Sequence, residues 1–478
     1  MVHPLFNATV KKWKTLKRHV ERAIVGAAVA TDKKSHSLIE PHNVHYKNLQ
    51  RCYLLALYFA TFADWLQGPY VYKLYKDYGY EDDSIALLYI AGFGSSCVFG
   101  AVVGQLADHY GRKNLCTIFA ILYSVCCLTK TSNRFTLLLV GRVLGGISTS
   151  ILFTTFEAWY VNEHLNFYKL PVEWLNTTFT KATFYNGLSA IVAGLVAQVL
   201  AEYFGPVSPF LMAIPFLMVS LLIIQSTWKE HISLNKSQTH SLHKELFSPL
   251  KYLIEHDCLL LYLAMVQSIF ESALYMFVFS WTPILAVLSP PLGLVFSIFM
   301  ICVMVGSKTY AWFVSKGRYQ SHSVLIAACT VATVSFFIVT LSLTNIVNHV
   351  HEHTTTKPMS VVCFIAFLVY EFSVGIYYPA VGYLRSRTVP EEFRATLSNW
   401  FRVPMNLVTC ISLTLNYGSD SKDVSGLKKF QFVFALCSIL MIGSVASATV
   451  FSKKYSKKVV HDELQETRSG KTQNTETV

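Results

Sequence analysis

Seven ionisable residues stand inside long apolar segments of the chain: the acids Asp64, Glu157, Glu271 and Glu371, and the bases Arg142, Lys308 and Arg402. Placing such a group at mid-helix in hydrocarbon costs at least ~2.5–3.5 kcal/mol, so each needs a partner or a task. The chemistry open to this set is anion binding by fixed cations, proton carriage by carboxyls, or mutual pairing that only fixes helix packing. Arg142 lies in Gly141-Arg142-Val143-Leu144-Gly145-Gly146, where the glycines admit a neighbouring backbone and the guanidinium is the group left to act. Arg402 lies in Asn399-Trp400-Phe401-Arg402-Val403-Pro404, followed by Asn406. Pro404 removes an intrahelical bond and kinks the helix, which makes a polar, wet surrounding. A guanidinium fork suits a tetrahedral oxyanion, so both arginines are candidate anion contacts. Lys308 is nearer its helix end and can snorkel.

Asp64 and Gln67 share a helix face, as do Gln267 and Glu271. Polar stripes facing lipid are costly, so both are expected to face a central cavity, with Trp65 and Tyr70 beside the first. Glu371 sits among Tyr370, Tyr377 and Tyr378. A buried carboxyl can carry a proton, which makes Glu271 and Glu371 coupling candidates; a pair between Glu371 and Arg402 explains the same residue. Glu157, in Phe156-Glu157-Ala158-Trp159-Tyr160, either joins these cavity acids or snorkels to the interface.

The elements that position these groups follow from hydropathy. Hydrophobic residues make up 53% of the chain and charged ones 14%, with the apolar residues in blocks. About 20 such residues span the ~30 Å hydrocarbon core as a helix. Continuous runs, not alternation, select helices over a closed barrel. Candidate spans fall at about 51–72, 84–107, 115–132, 135–159, 180–203 and 208–227, then 257–281, 292–314, 323–346, 360–384, 396–417 and 428–450. The long polar stretch 228–256 divides them evenly. The expectation is an all-α polytopic membrane protein with twelve transmembrane helices in two six-helix pseudo-repeats. Residues 1–50 form a tail with a basic amphipathic segment (Val10, Trp13, Leu16, Val20 and Ile24 at helical spacing among lysines) suited to an anionic leaflet. The halves are 51–227 and 257–450, joined by the cytosolic loop 228–256, and 451–478 is a second cytosolic tail.

The net charge of +12 lies mostly in short loops and tails. That is the positive-inside pattern, and it argues against a nucleic-acid partner. Arg112, Lys113, Lys229, Arg385, Arg387, Lys453 and Lys454 fall on one side, and Glu81-Asp82-Asp83 on the other. Both termini are therefore expected in the cytosol, and the sequons at Asn7, Asn176 and Asn235 are expected to stay unglycosylated. Most of the 11 cysteines lie within apolar spans, as reduced core residues. No phosphate loop, nucleophile elbow or metal-ligand spacing is present. No enzyme activity, cofactor or metal is expected; the partners are the lipid bilayer and a small solute, and the chain is expected to be a monomer.

One turn, Gly104 to Asn114, carries charges set against their own helices. Asp108 closes one segment at a C-terminus that disfavours an anion, and Arg112 and Lys113 open the next at an N-terminus that disfavours cations. With Gly111 they read as a gating joint. In the outward-facing state Asp108 is expected to meet the start of the eleventh span. The pattern G-x-L-x-D-x-x-G-R-K resembles the signature loop of major facilitator transporters, and Val314-Ser315-Lys316-Gly317-Arg318 reads as a second copy lacking the acid.

The resemblance narrows further. Asp64-Trp65-Leu66-Gln67-Gly68-Pro69-Tyr70, Gly111-Arg112-Lys113-Asn114, Phe156-Glu157-Ala158-Trp159-Tyr160, Phe270-Glu271-Ser272, Trp281-Thr282-Pro283 and Asn399-Trp400-Phe401-Arg402-Val403-Pro404 are similar, in order, to the molybdate-anion transporter family. This resemblance implies a plasma-membrane carrier importing molybdate, a tetrahedral dianion. The substrate-binding candidates are then Arg142, Arg402, Asp64, Gln67, Tyr70, Gln267, Asn399 and Trp400. A proton-coupled carrier of a sugar or other small organic solute, and a transporter-fold receptor, are the competing expectations.

Overall fold

The computed structural model describes residues 44–230, 258–315, 319–349, 357–389, 407, 409–411, 414 and 424–473. Asn399, Trp400, Arg402 and most of the eleventh span lie outside these residues, as do the N-terminal amphipathic segment and the Gly317-Arg318 turn. The chain divides into Met1–Asn48, of which only residues 44–48 are described, and Leu49–Val478.

Helix α1 (Val44–Gln67) runs through a 3-10 turn, Gly68–Tyr70, into the short α2 (Val71–Asp77). Pro69 causes the break, because it removes a donor and restricts the residue before it. Helix α3 (Asp82–Tyr110) starts with two acids in its first turn, where the helix dipole favours them. It ends at Gly111, whose φ of 95° an L side chain rarely adopts. Helices α4 (Arg112–Thr129), α5 (Phe135–Leu152) and α6 (Thr155–Asn162) follow, then a π turn at Glu163–Phe167. Helices α7 (Glu173–Phe204) and α8 (Ser208–Thr227) complete the first half.

The second half holds α9 (Cys258–Leu285), α10 (Leu292–Ser315), α11 (Ser321–His349), α12 (Lys357–Thr388) and α13 (Val424–Gln473). Among the described residues, 9 helical stretches are long and apolar enough to cross a membrane. Helix α3 packs on α5, and α4 on α5 and α8; in the second half α11 packs on α12 and α13, and α10 on α12.

The halves meet along α7 and α10. Gly293 approaches α7 so closely that an added Cβ would lie 2.8 Å from the Gln198 backbone nitrogen. The Gly293 N–H donates to Gln198 Oε1 at 2.8 Å, and Ser297 Oγ donates to the Ile191 carbonyl at 2.9 Å. Ring contacts extend the seam: Phe93 with Tyr275 at 4.6 Å, and Phe279 with Tyr89 at 5.2 Å and Tyr72 at 5.9 Å. Lys429 reaches Asp83 at 3.5 Å. All these contacts lie toward the end that carries the α2–α3 connection. At the opposite end, which carries Gly111, Glu157 and Arg385 sense one another electrostatically without forming an ion pair.

Candidate functional site

Polar side chains in the first half form a column between α1, α2, α3, α4 and α5. At mid-depth the Tyr123 hydroxyl of α4 donates to Asp64 Oδ1 of α1. One helical turn onward, Cys126 lies within electrostatic range of Asp64, Arg142 and Lys130. Arg142 is half-buried. Its Nε donates to the Leu88 carbonyl at 3.2 Å, and its guanidinium lies 4.7 Å from the Tyr89 ring centroid. The space it fills exists because position 92 is glycine; a Cβ there would fall 2.8 Å from Nη2. Its two terminal nitrogens make no hydrogen bond and no ion pair among the described residues. That leaves a guanidinium fork available to a ligand.

Lys130 caps the C-terminal end of α4 and is 2% exposed. Sequence reasoning passed over it, because a lysine in the last turn of the 115–132 span reads as an ordinary interfacial residue. Its burial comes from a cover of tyrosines: Tyr78 donates to the Lys130 carbonyl, and Tyr80 to the Asn133 carbonyl. The close tyrosine spacing of Tyr72, Tyr75, Tyr78 and Tyr80 was the available signal. Tyr75, on α2 beyond the first span, is buried, which pushes its phenol above the usual range even though Arg142 acts in the opposite sense. It is therefore a neutral hydrogen-bonding group.

The other substrate candidates of this half are placed around the seam. The Trp65 indole N–H donates to Asn186 Oδ1 at 2.9 Å, and its ring lies 5.9 Å from Phe296 of the second half. Tyr70 donates to Gln198 Oε1 at 2.9 Å, the same atom that receives the Gly293 N–H. Gln67 is buried and donates to the Ala63 carbonyl of its own helix at 3.2 Å.

Among the described residues of the second half, the polar candidates are two acids, an amide and Lys308. Tyr377 donates to Glu271 Oε1 at 3.4 Å, and the Tyr377 ring stacks on Phe270 at 3.8 Å. Glu371 is 3% exposed and has no cation within ion-pair distance among the described residues. Among the described residues, Gln267 Oε1 and the Tyr370 hydroxyl are buried without a hydrogen-bond partner. A buried orphan of this kind costs about 1–3 kcal/mol. Lys308 is exposed on α10. Glu157 is exposed as well, in electrostatic range of Arg385 from the other half.

Among the described residues, the Gly111 turn finds its partners in the first half and in the segment just after it, while the start of the eleventh span, the expected partner of Asp108, lies outside them. Asp108 Oδ1 accepts from Arg112 Nη2 at 2.7 Å, an exposed pair worth ~0–1 kcal/mol. The unexpected partner is Glu230, which follows α8. Its carboxylate accepts the Arg112 and Asn114 backbone N–H groups, both at 3.2 Å, and so caps α4. An anion is favoured at that helix end. Gly111 makes room, since a Cβ there would lie 2.6 Å from the carboxylate. Lys113 Nζ donates to the Trp228 and Gln225 carbonyls at 2.8 and 3.2 Å, and Trp228 stacks on Trp159 at 3.7 Å. Glu230 carries no motif and joins the turn only through the return of the chain after α8.

Comparison with known proteins agrees with this architecture. Residues 20–364 match a family described as sugar transporters, 12 TM. A molybdate-anion transporter of Takifugu rubripes is 39% identical over 429 residues, covering 84% of this chain and 87% of that protein. One from Danio rerio is 38% identical over 427 residues, with the same coverage of 84% and 87%. Among solved structures, the POT family transporter PepTSo superposes with a TM-score of 0.65 at 10% identity, covering 86% of this chain and 98% of that one. That likeness speaks for the fold alone. A helical body of two halves, a Gly111-Arg112-Lys113 turn and relatives of this similarity over most of the chain place the protein in the major facilitator superfamily, as a member of the molybdate-anion transporter family.

Proposed function

We propose that this protein moves molybdate across the plasma membrane into the cytosol by alternating access of its two halves. The observation that carries the reading is Arg142, a half-buried guanidinium with both terminal nitrogens unpaired, in a chain 39% identical to a protein named as a molybdate-anion transporter. Both termini lie in the cytosol on the strength of the loop-charge bias. With that orientation the seam contacts of Phe93, Tyr275, Phe279 and Gly293 close the outer side. Arg142 and Arg402 hold the oxyanion, Asp64, Gln67, Tyr70, Gln267, Asn399 and Trp400 line its route, and Glu157, Glu271 and Glu371 act as coupling or cavity acids. Asp108, Gly111, Arg112 and Lys113 gate the inner side.

Uptake of labelled molybdate by cells lacking their own carrier, at two pH values, tests this reading. Wild-type chain should raise uptake well above empty cells, and Arg142→Ala should lose it at equal surface abundance. No uptake by the wild type, or full uptake by the variant, would sink the proposal. A second reading, carriage of a neutral solute such as a sugar, is favoured by one observation: the unpartnered Gln267 Oε1 offers an acceptor to a hydroxyl. A panel of labelled neutral sugars in the same cells separates the two.

A further inference from the structure

The charge on Lys130 is not balanced by the fold. Its Nζ donates to the Tyr75 hydroxyl at 2.6 Å and lies 5.0 Å from the centroid of that ring. An ammonium has three donors, and this contact uses one. The helix end it caps offers some negative potential, yet a buried unpaired ammonium costs more than that returns. Among the described residues neither Lys130 nor Arg142 forms an ion pair. The nearby acids are engaged otherwise: Asp82 with Lys76 at 2.5 Å and with Tyr72, and Asp64 with Tyr123.

The helix packing brings the two cations together. Thr129 of α4 packs directly against Gly141 of α5, and Cys126 lies 3.2 Å from a Cβ placed at Gly145, one turn further on. The residues next to that contact are Lys130 and Arg142; Arg142 acts electrostatically on Lys130 and on Tyr75, and Lys130 bonds the Tyr75 hydroxyl directly. Tyr75 accepts from Lys130, so its own O–H proton remains available to an acceptor. Two like charges and a set of unused donors converge on one place, and an anion is the ligand that resolves both.

We propose that Lys130, Tyr75 and Arg142 form an oxyanion site built for a tetrahedral dianion, beneath the α2–α3 connection. This deepens the proposed function and rests on it. Lys130 supplies the second positive charge, so the site prefers a dianion to a monoanion of the same shape. Tyr78 and Tyr80, bonded to the carbonyls of Lys130 and Asn133, cover it while the outer seam is closed.

The test compares labelled molybdate with labelled perrhenate, a tetrahedral monoanion, in cells lacking their own carrier and at matched surface abundance. For Lys130→Gln, the KM for molybdate should rise about tenfold or more, the loss expected for a charge-assisted contact. The KM for perrhenate should rise by only about threefold, since a monoanion loses half the coulombic energy, and a purely structural lysine would weaken both anions alike. Lys130→Arg should restore most of the preference. Tyr75→Phe, which keeps the ammonium, should lower molybdate affinity about threefold, and it decides the question if Lys130→Gln does not reach the surface. An unchanged molybdate-to-perrhenate ratio in these variants, with wild-type molybdate uptake intact, overturns the site alone. Absence of oxyanion uptake by the wild type overturns the site together with the proposed function.

Discussion

Among the described residues, Lys130 and Arg142 of the first half and Glu271 and Glu371 of the second are accommodated in different ways. In the first half Arg142 and Lys130 are held by a carbonyl, a phenol and two aromatic faces, with Asp64 engaged by Tyr123 at another depth. Among the described residues of the second half the buried carboxyls are Glu271, which accepts from Tyr377, and Glu371, while Lys308 is exposed. The acid–phenol pair recurs, Asp64 with Tyr123 and Glu271 with Tyr377, yet the phenol comes from the third helix of the first half and the fourth of the second.

The largest effect that would break this contrast is in the first half. Arg142→Ala should reduce molybdate uptake about a hundredfold or more, the scale set by truncating a buried charged contact. Flux assays at matched surface abundance check it, and near-normal uptake would end the assignment of anion binding to this half. In the second half, Glu371→Gln should raise the melting temperature of the purified protein, because it removes a buried charge that has no ionic partner among the described residues. A gain of ~1 kcal/mol corresponds to about 2–4 °C for a chain of a few hundred residues. A drop on thermal unfolding would mean that the acid is ionically paired.

Glu230→Gln sharpens a third difference, the acid clamp on the first-half turn. Losing the charge at the α4 N-terminus should cost ~1 kcal/mol, read as a fall in melting temperature and a faster exchange of the Arg112 and Asn114 amides. The smallest effect belongs to Asp108→Ala. Its pair with Arg112 is exposed, so stability should change by ~1 kcal/mol or less, while the transport rate falls severalfold at constant KM. A loss of affinity at constant rate would contradict the gating role.

Much of the architecture is legible without coordinates. The lengths of the apolar blocks dictate membrane helices, because hydrocarbon leaves backbone groups no other partners. The charged residues within them mark the polar interior, since their cost demands a reason. Arg142, Asp64, Glu271 and Glu371 stand out on that ground alone. Lys130 does not, because its burial depends on tyrosines that fold back from another connection, and Glu230 does not, because it reaches the turn from a helix end more than a hundred residues away.

What the amino-acid sequence determined by itself is therefore the class of the protein, the helices and the identity of the costly charges. These are local consequences of composition, period and solvent. Tertiary structure decided which charges go unbalanced, which phenols serve them and which end of the seam is closed. Those properties depend on groups distant in the chain being brought within a few ångströms, as the Thr129–Gly141 contact does for Lys130 and Arg142.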